Sequence, residues 1–264
     1  MFVRRTLLLP LFATLLVLIL VASLTPASAI VAAPSTDTPA TLAADPLHQI
    51  FLPLVQRTFP PTTFPNDAHT LALLPLNGDT QDQSGNNRHA TLISGTFVPT
   101  ALGQGLQITG TSAGGGQGFQ WSAYANLLVH PYSVEMIVTP QETSSFRKLF
   151  SFADNNDSGW YYHSNGLRAY PNGLLGQGQA QPNVRHYIAF VSKDNENIEI
   201  YLQGVSIGTT NSSFTAPPSQ AIFFNDDLGT GRGEQLAGVV EEVRISNSSR
   251  TAAEIQAIQN TLLP

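Results

Sequence analysis

Three groups of residues in this 264-residue chain have the types and spacing to do chemistry. The first is rich in oxygen. Gly238-Val-Val-Glu-Glu-Val-Arg-Ile245 reads as a strand, and strict alternation puts Val239, Glu241, Val243 and Ile245 on one face, with Val240, Glu242 and Arg244 on the other. The first face is the more apolar, so Glu241 is expected to point inward, where a carboxylate needs a counter-charge or takes up a proton. Asn77, Asp79, Asp82 and Asn86 follow an earlier apolar run, and their hard oxygens could join Glu241 around a structural Ca²⁺. The alternative is a Glu satisfied by hydroxyls, backbone amides or an arginine. The second group is aromatic. Trp160, Tyr162 and Tyr170 fall in adjacent apolar runs and are candidate stacking surfaces for sugar rings, although rings at alternate positions also suit a core.

The third group has the letters of catalytic motifs without their setting. Gly110-Thr-Ser112-Ala-Gly114 matches a nucleophile elbow, but the glycine-rich residues after it cannot open the helix that an elbow requires. Residues 154–159 are acidic yet lack the spacing and terminal Glu of a calcium-binding EF loop, so they read as a turn. The six histidines show no metal-ligand spacing. No E-x-D-x-x-E run supplies the paired carboxylates of a glycoside hydrolase, and Glu241 and Glu242, being adjacent on a strand, would face opposite ways. No catalytic residue is therefore expected.

These residues sit on a β-rich scaffold. Twelve short apolar or alternating runs, near 71–76, 90–94, 105–109, 133–139, 148–153, 159–164, 166–170, 186–193, 197–203, 205–210, 221–225 and 238–246, are separated by Gly, Asn, Asp and Pro clusters. That rhythm predicts an all-β sandwich or barrel. Gln203-Gly204 between two alternating runs predicts a tight hairpin. One helix is expected, opened by the capping box Thr251-Ala-Ala-Glu254 and carrying Ile255, Ile258 and Leu262 at helical spacing.

Ahead of the scaffold, Arg4 and Arg5, an apolar stretch from Thr6 to Ala22, and the small-residue site Ala27-Ser-Ala29 predict an export signal over residues 1–29. Left uncleaved, that stretch could instead anchor the chain in a membrane. Residues 30–69 hold seven of the eighteen prolines and read as a linker, with an apolar segment at 48–55, leaving residues 70–264 as the domain. There is no cysteine, so no disulfide supports the fold. Net charge is −6, and loss of Arg4 and Arg5 with the signal leaves ten basic against eighteen acidic residues, −8. Such a balance argues against nucleic acid and anionic lipid as partners.

Several of these segments together resemble a family. Leu71-Ala-Leu-Leu-Pro-Leu76 with Asp82-Gln-Ser-Gly-Asn86, then Gly103-Gln-Gly105-Leu-Gln-Ile108, Ser133-Val-Glu-Met-Ile-Val-Thr-Pro140, Tyr201-Leu-Gln-Gly204 and Gly238–Ile245 resemble, in order, the strands of laminin-G-like jelly rolls of the concanavalin A-like lectin/glucanase superfamily. The resemblance implies a jelly-roll β-sandwich of two antiparallel sheets with a short C-terminal helix. It also implies a structural calcium between the first loop and the acidic residue matching Glu241, although Asn77 and Glu241 stand where Asp is usual. By analogy the function is a secreted, non-enzymatic binding or adhesion module for a glycan or an extracellular protein. A structural domain of a cell-surface assembly is the alternative, and a hydrolase is the least supported. The sequence leaves the ligand and the oligomeric state open.

Overall fold

A computed structural model of the protein describes residues 64–110, 116–152, 159–194, 197–211, 217–226 and 233–262. The export signal, the linker up to residue 63 with its apolar segment, residues 111–114 of the elbow-like motif, and residues 154–158 of the acidic turn lie outside the described residues. Fifteen strands and one α-helix are present among those described: β1 Thr70–Leu74, β2 Thr91–Ser94, β3 Thr96–Thr100, β4 Gly103–Thr109, β5 Gly118–Gln120, β6 Tyr132–Pro140, β7 Arg147–Ser151, β8 Gly159–His163, β9 Gly166–Tyr170, β10 Leu174–Leu175, β11 His186–Ser192, β12 Asn197–Leu202, β13 Val205–Asn211, β14 Ile222–Phe223, β15 Ala237–Ser246 and α1 Ala252–Leu262.

All twelve predicted runs contain strands. The three that sequence reading missed are short or interrupted: β3 carries Pro99, β5 follows a glycine cluster, and β10 has two residues. Pro99 is tolerated because β3 lies at a sheet edge, where a missing donor breaks no ladder. The strands form two antiparallel sheets. One, of eight strands, runs β13-β12-β11-β6-β15-β4-β3, with β1 also pairing along β15; the other, of seven, runs β10-β9-β8-β7-β14-β5-β2. The chain passes from the second sheet to the first between β2 and β3 through Gly95 (φ 142°), where a Cβ would come within 2.6 Å of the Leu106 Cδ1. The architecture is a jelly-roll β-sandwich, as the sequence led one to expect.

The space between the sheets is filled by Leu106, Phe119, Trp121, Met136, Phe150, Trp160, Tyr162, Phe190 and Phe223 among others. A second apolar layer lies on the outer side of the eight-stranded sheet. There Phe64, Leu73, Ile137, Tyr187 and Tyr201 pack with Ile255 and Ile258 of α1. This explains why β6 is buried on both faces and shows no alternation in its exposure. Thr251 and Glu254 cap α1 reciprocally: the Thr251 amide donates to Glu254 Oε2 (2.7 Å) and the Glu254 amide to Thr251 Oγ1 (3.2 Å). Phe64–His69, expected in the linker, belong to the folded body. Phe64 is fully buried and Asp67 is ion-paired with Arg250.

One core polar pair predicts how stability depends on pH. The Gln181 amide donates to His186 Nε2 (3.3 Å), so the imidazole proton sits on Nδ1 and faces the Tyr162 hydroxyl at 2.9 Å. Burial pushes His186 down from an ordinary 6.5 to about 4. Between those values the unfolded chain holds the proton and the folded chain does not, so stability is complete above pH 6.5 and falls as pH drops toward 4, by about 3 kcal/mol. His130 and His163 are also held below 6.5 by burial and add to the slope. Urea titrations from pH 7 to pH 4 should show a shallower decline for His186→Gln than for the wild type. Parallel curves would remove His186 as the cause.

Candidate functional site

Four of the five expected calcium ligands are held by other partners. Asp82 is buried, and both of its oxygens are occupied: Oδ1 accepts from the amides of Leu73 (2.9 Å) and Ser84 (2.8 Å), and Oδ2 from the Ser84 hydroxyl (2.8 Å) and the Arg88 amide (2.9 Å). Burial alone would raise this carboxyl. The Leu73, Arg88 and Ser84 donors outweigh it and hold Asp82 below the ordinary carboxylate range. Asn86 donates to the Thr70 and Leu71 carbonyls, and Asp79 accepts from the Gln81 amide. Asn77 lines a surface hollow with Pro99, Gly103 and Gln104.

Glu241 does not point into the core as strict alternation requires. In the pairing of β15 with β6, Val240 lies opposite Val138 and Glu242 opposite Ile137, so Glu241 is the extra residue of a β-bulge. The bulge resets the parity. Val240, Val243 and Ile245 enter the core, while Glu241 is ion-paired with Arg185. Among the described residues no group of three or more His, Cys, Asp or Glu could hold a metal ion. A loop carboxylate filled by amide donors and a strand carboxylate filled by a guanidinium do not fit a calcium ion.

The aromatic candidates divide by strand parity. Trp160 and Tyr162 are fully buried in the core, with Trp160 packed 4.9 Å from the Phe190 ring, so neither presents a face to a ligand. Tyr170 is half-buried on the other side of the seven-stranded sheet. Alternation along β8 sends Tyr161 and His163 to that outer side, and along β9 it sends Arg168 and Tyr170 there too.

Cross-strand pairing then assembles what the sequence separates. Lys148 of β7, Tyr161 of β8 and Arg168 of β9 lie side by side in register. Lys148 Nζ stands 4.2 Å from the centroid of the Tyr161 ring. Gly159, at φ 132°, opens β8 where a Cβ would come within 2.6 Å of the Phe150 carbonyl oxygen. Phe146, just before β7, meets Tyr161 edge-on at 5.3 Å, Tyr170 edge-on at 5.8 Å and His163 at 4.2 Å between centroids. The Arg168 guanidinium lies over the Phe146 ring at 5.4 Å and the Tyr170 ring at 5.7 Å.

Tyr161 is thus a buried floor, and Phe146, His163, Arg168 and Tyr170 are half-buried above it. Burial, then the Arg168 charge, holds His163 below 6.5, so its imidazole is neutral at pH 7. At the edge, Arg147 is ion-paired with Glu142, whose carboxyl the Ser145 hydroxyl and Arg147 keep below its usual value. Half-buried rings beside a guanidinium suit a ligand that has both apolar C–H faces and hydrogen-bonding edges. Phe146, His163 and Arg168 went unremarked in the sequence because their grouping depends on strand register. The one legible signal was parity: residues flanking the inward Trp160 and Tyr162 must face out.

Comparison with known proteins places the chain. Residues 101–256, more than half of it, match the family described as the concanavalin A-like lectin/glucanases superfamily. No curated protein matches the sequence. Among solved structures, domain 4 of AbnA, an extracellular arabinanase from Geobacillus stearothermophilus determined with arabinotriose, superposes with a TM-score of 0.57 at 17% identity, covering 72% of this chain and 98% of that one. The binding domain of Paraclostridial Mosquitocidal Protein 1 gives 0.56 at 12% identity, covering 74% of this chain and 52% of that one. Trypanosoma rangeli sialidase with sialic acid gives 0.54 at 15% identity, covering 73% of this chain and 33% of that one. At such identities these likenesses show the fold.

Proposed function

The chain belongs to the concanavalin A-like lectin/glucanases superfamily, and on that basis we propose that it is an exported, non-catalytic module that binds carbohydrate on the outer face of its seven-stranded sheet. The observation that carries this reading is the half-buried pair of rings, Phe146 and Tyr170, with the Arg168 guanidinium over both. Sugars offer a C–H face to such rings and hydroxyls to a guanidinium. The arabinotriose-bound domain of the arabinanase, spanned almost completely by this fold, supports a sugar ligand. A non-catalytic role is supported by the engagement of Glu142 with Arg147 and of Glu241 with Arg185, which leaves neither free to act as acid or nucleophile. Export is supported by the leader-like residues 1–29, and the mature chain is expected to begin near Ile30.

Glycan-array binding tests the reading. Phe146→Ala and Tyr170→Ala should each weaken the best-bound glycan by about tenfold, as expected for loss of one stacked ring. Trp160→Phe, a change in the core, should not alter which glycans are bound. Unchanged affinity in both ring variants would move the site elsewhere.

A further inference from the structure

Six arginines lie among the described residues, and five of them have acceptors. Arg88 donates to the Leu71 carbonyl, Arg147 is paired with Glu142, Arg185 with Glu241, Arg244 with Glu135, and Arg250 with Asp67. Arg168 lies over the Phe146 and Tyr170 rings, and its Nε is buried without a hydrogen-bond partner. Two aromatic faces attract a guanidinium but cannot replace the acceptors it loses with its water.

Of the neighbouring cations, Lys148 is buried against the Tyr161 ring and Arg147 is paired with Glu142. A cation is therefore displayed on one face of a chain whose net charge is −6, and in steering a ligand that local sign opposes the overall repulsion of anions.

We propose that the ligand of this face is an acidic sugar, whose carboxylate Arg168 receives while Phe146 and Tyr170 hold the ring. The proposal rests on the carbohydrate-binding reading above and narrows it. A planar guanidinium matches a carboxylate with two parallel N–H···O bonds, which a neutral hydroxyl cannot do. Contact with the Phe146 and Tyr170 rings restricts the side chain before the ligand arrives, which lowers the entropy lost on binding.

The test is an array of acidic sugars printed beside neutral counterparts of the same shape: sialylated glycans beside their asialo forms, and oligogalacturonides beside their methyl esters. Wild-type protein, Arg168→Lys and Arg168→Gln are each applied after thermal melting has confirmed a wild-type fold. The wild type should bind its preferred acid at least about tenfold more tightly than the neutral counterpart, the value of one charge-assisted contact. That ratio should fall to near one in Arg168→Gln and survive in part in Arg168→Lys, which keeps the charge but not the fork. Added salt should shrink the ratio. Equal binding of acid and neutral partners by the wild type would overturn the acidic ligand and leave carbohydrate binding standing. A ratio unchanged in Arg168→Gln would take the carboxylate away from Arg168. Binding to no glycan on the array would overturn both readings.

Discussion

Glu135→Gln should cost this protein about 3–5 kcal/mol of folding stability, the range for breaking one partner out of a buried ion pair. Glu135 and Arg244 have no exposed side-chain surface. Glu135 Oε2 accepts from Arg244 Nε at 2.7 Å, and Oε1 accepts from the Tyr187 hydroxyl at 2.6 Å. Arg250 stands 3.7 Å from the same carboxylate. This cluster lies beneath α1 and the entering segment, because Arg244 also donates to the Pro65 carbonyl (2.7 Å) and Arg250 holds Asp67. Taking the charge from Glu135 strands one buried guanidinium, and a loss of that size is a large share of a typical domain's stability of about 5–15 kcal/mol. Glu199→Gln, in a pair whose Lys193 is exposed, should cost less than about 1 kcal/mol. The double variant Glu135→Leu, Arg244→Met should recover much of the loss, since apolar replacement of both partners removes the stranded charge. Additive losses in the double variant would contradict this account.

Asp82→Asn should cost about 2–4 kcal/mol, from charge-assisted bonds worth about 1.5–3 kcal/mol each. An amide nitrogen in place of one carboxylate oxygen points a donor at two donors, either the Leu73 and Ser84 amides or the Ser84 hydroxyl and Arg88 amide. The wild-type contribution is complete above the ordinary aspartate range and fades as pH falls through the lowered value of the folded state. Chelation by EDTA should leave the melting temperature of the wild type where it was. A drop that added calcium restores would show that the ion displaces some of these donors and would revive the site expected from the sequence.

The extent to which the sequence anticipated this molecule follows from what each feature depends on. Alternation and turn residues are local, so the twelve main strands, the hairpin at Gln203-Gly204 and the capped α1 were legible. The bulge at Glu241 was not, because an extra residue in β15 is defined only against its partner β6. Without it, parity sends Glu241 inward, which is the premise on which a buried calcium ligand was inferred. The loop of Asp82 has the oxygens of a metal site, but chain geometry turns four protein donors onto that carboxylate.

Phe64 was read with the prolines around it, although its ring packs 5.7 Å from Tyr187 on the outer layer. The proposed binding face shows both outcomes at once. Tyr170 was singled out, and the parity that buries Trp160 and Tyr162 is the same parity that exposes their neighbours. Lys148, Tyr161 and Arg168 come from three strands, so their row exists only in the register of the folded sheet.

Nuclear magnetic resonance of the labelled protein, titrated with the glycan that ranks first on the array, tests the location of the proposed carbohydrate site most directly. Bound sugar should shift the His163 imidazole and the amides from Arg168 to Tyr170. It should leave unmoved the buried His186 ring, the hollow at Asn77, Gly103 and Gln104, and the cleft that Phe64 shares with Arg250 and Ile258. Shifts confined to that hollow or that cleft, with residues 161–170 silent, would contradict the account.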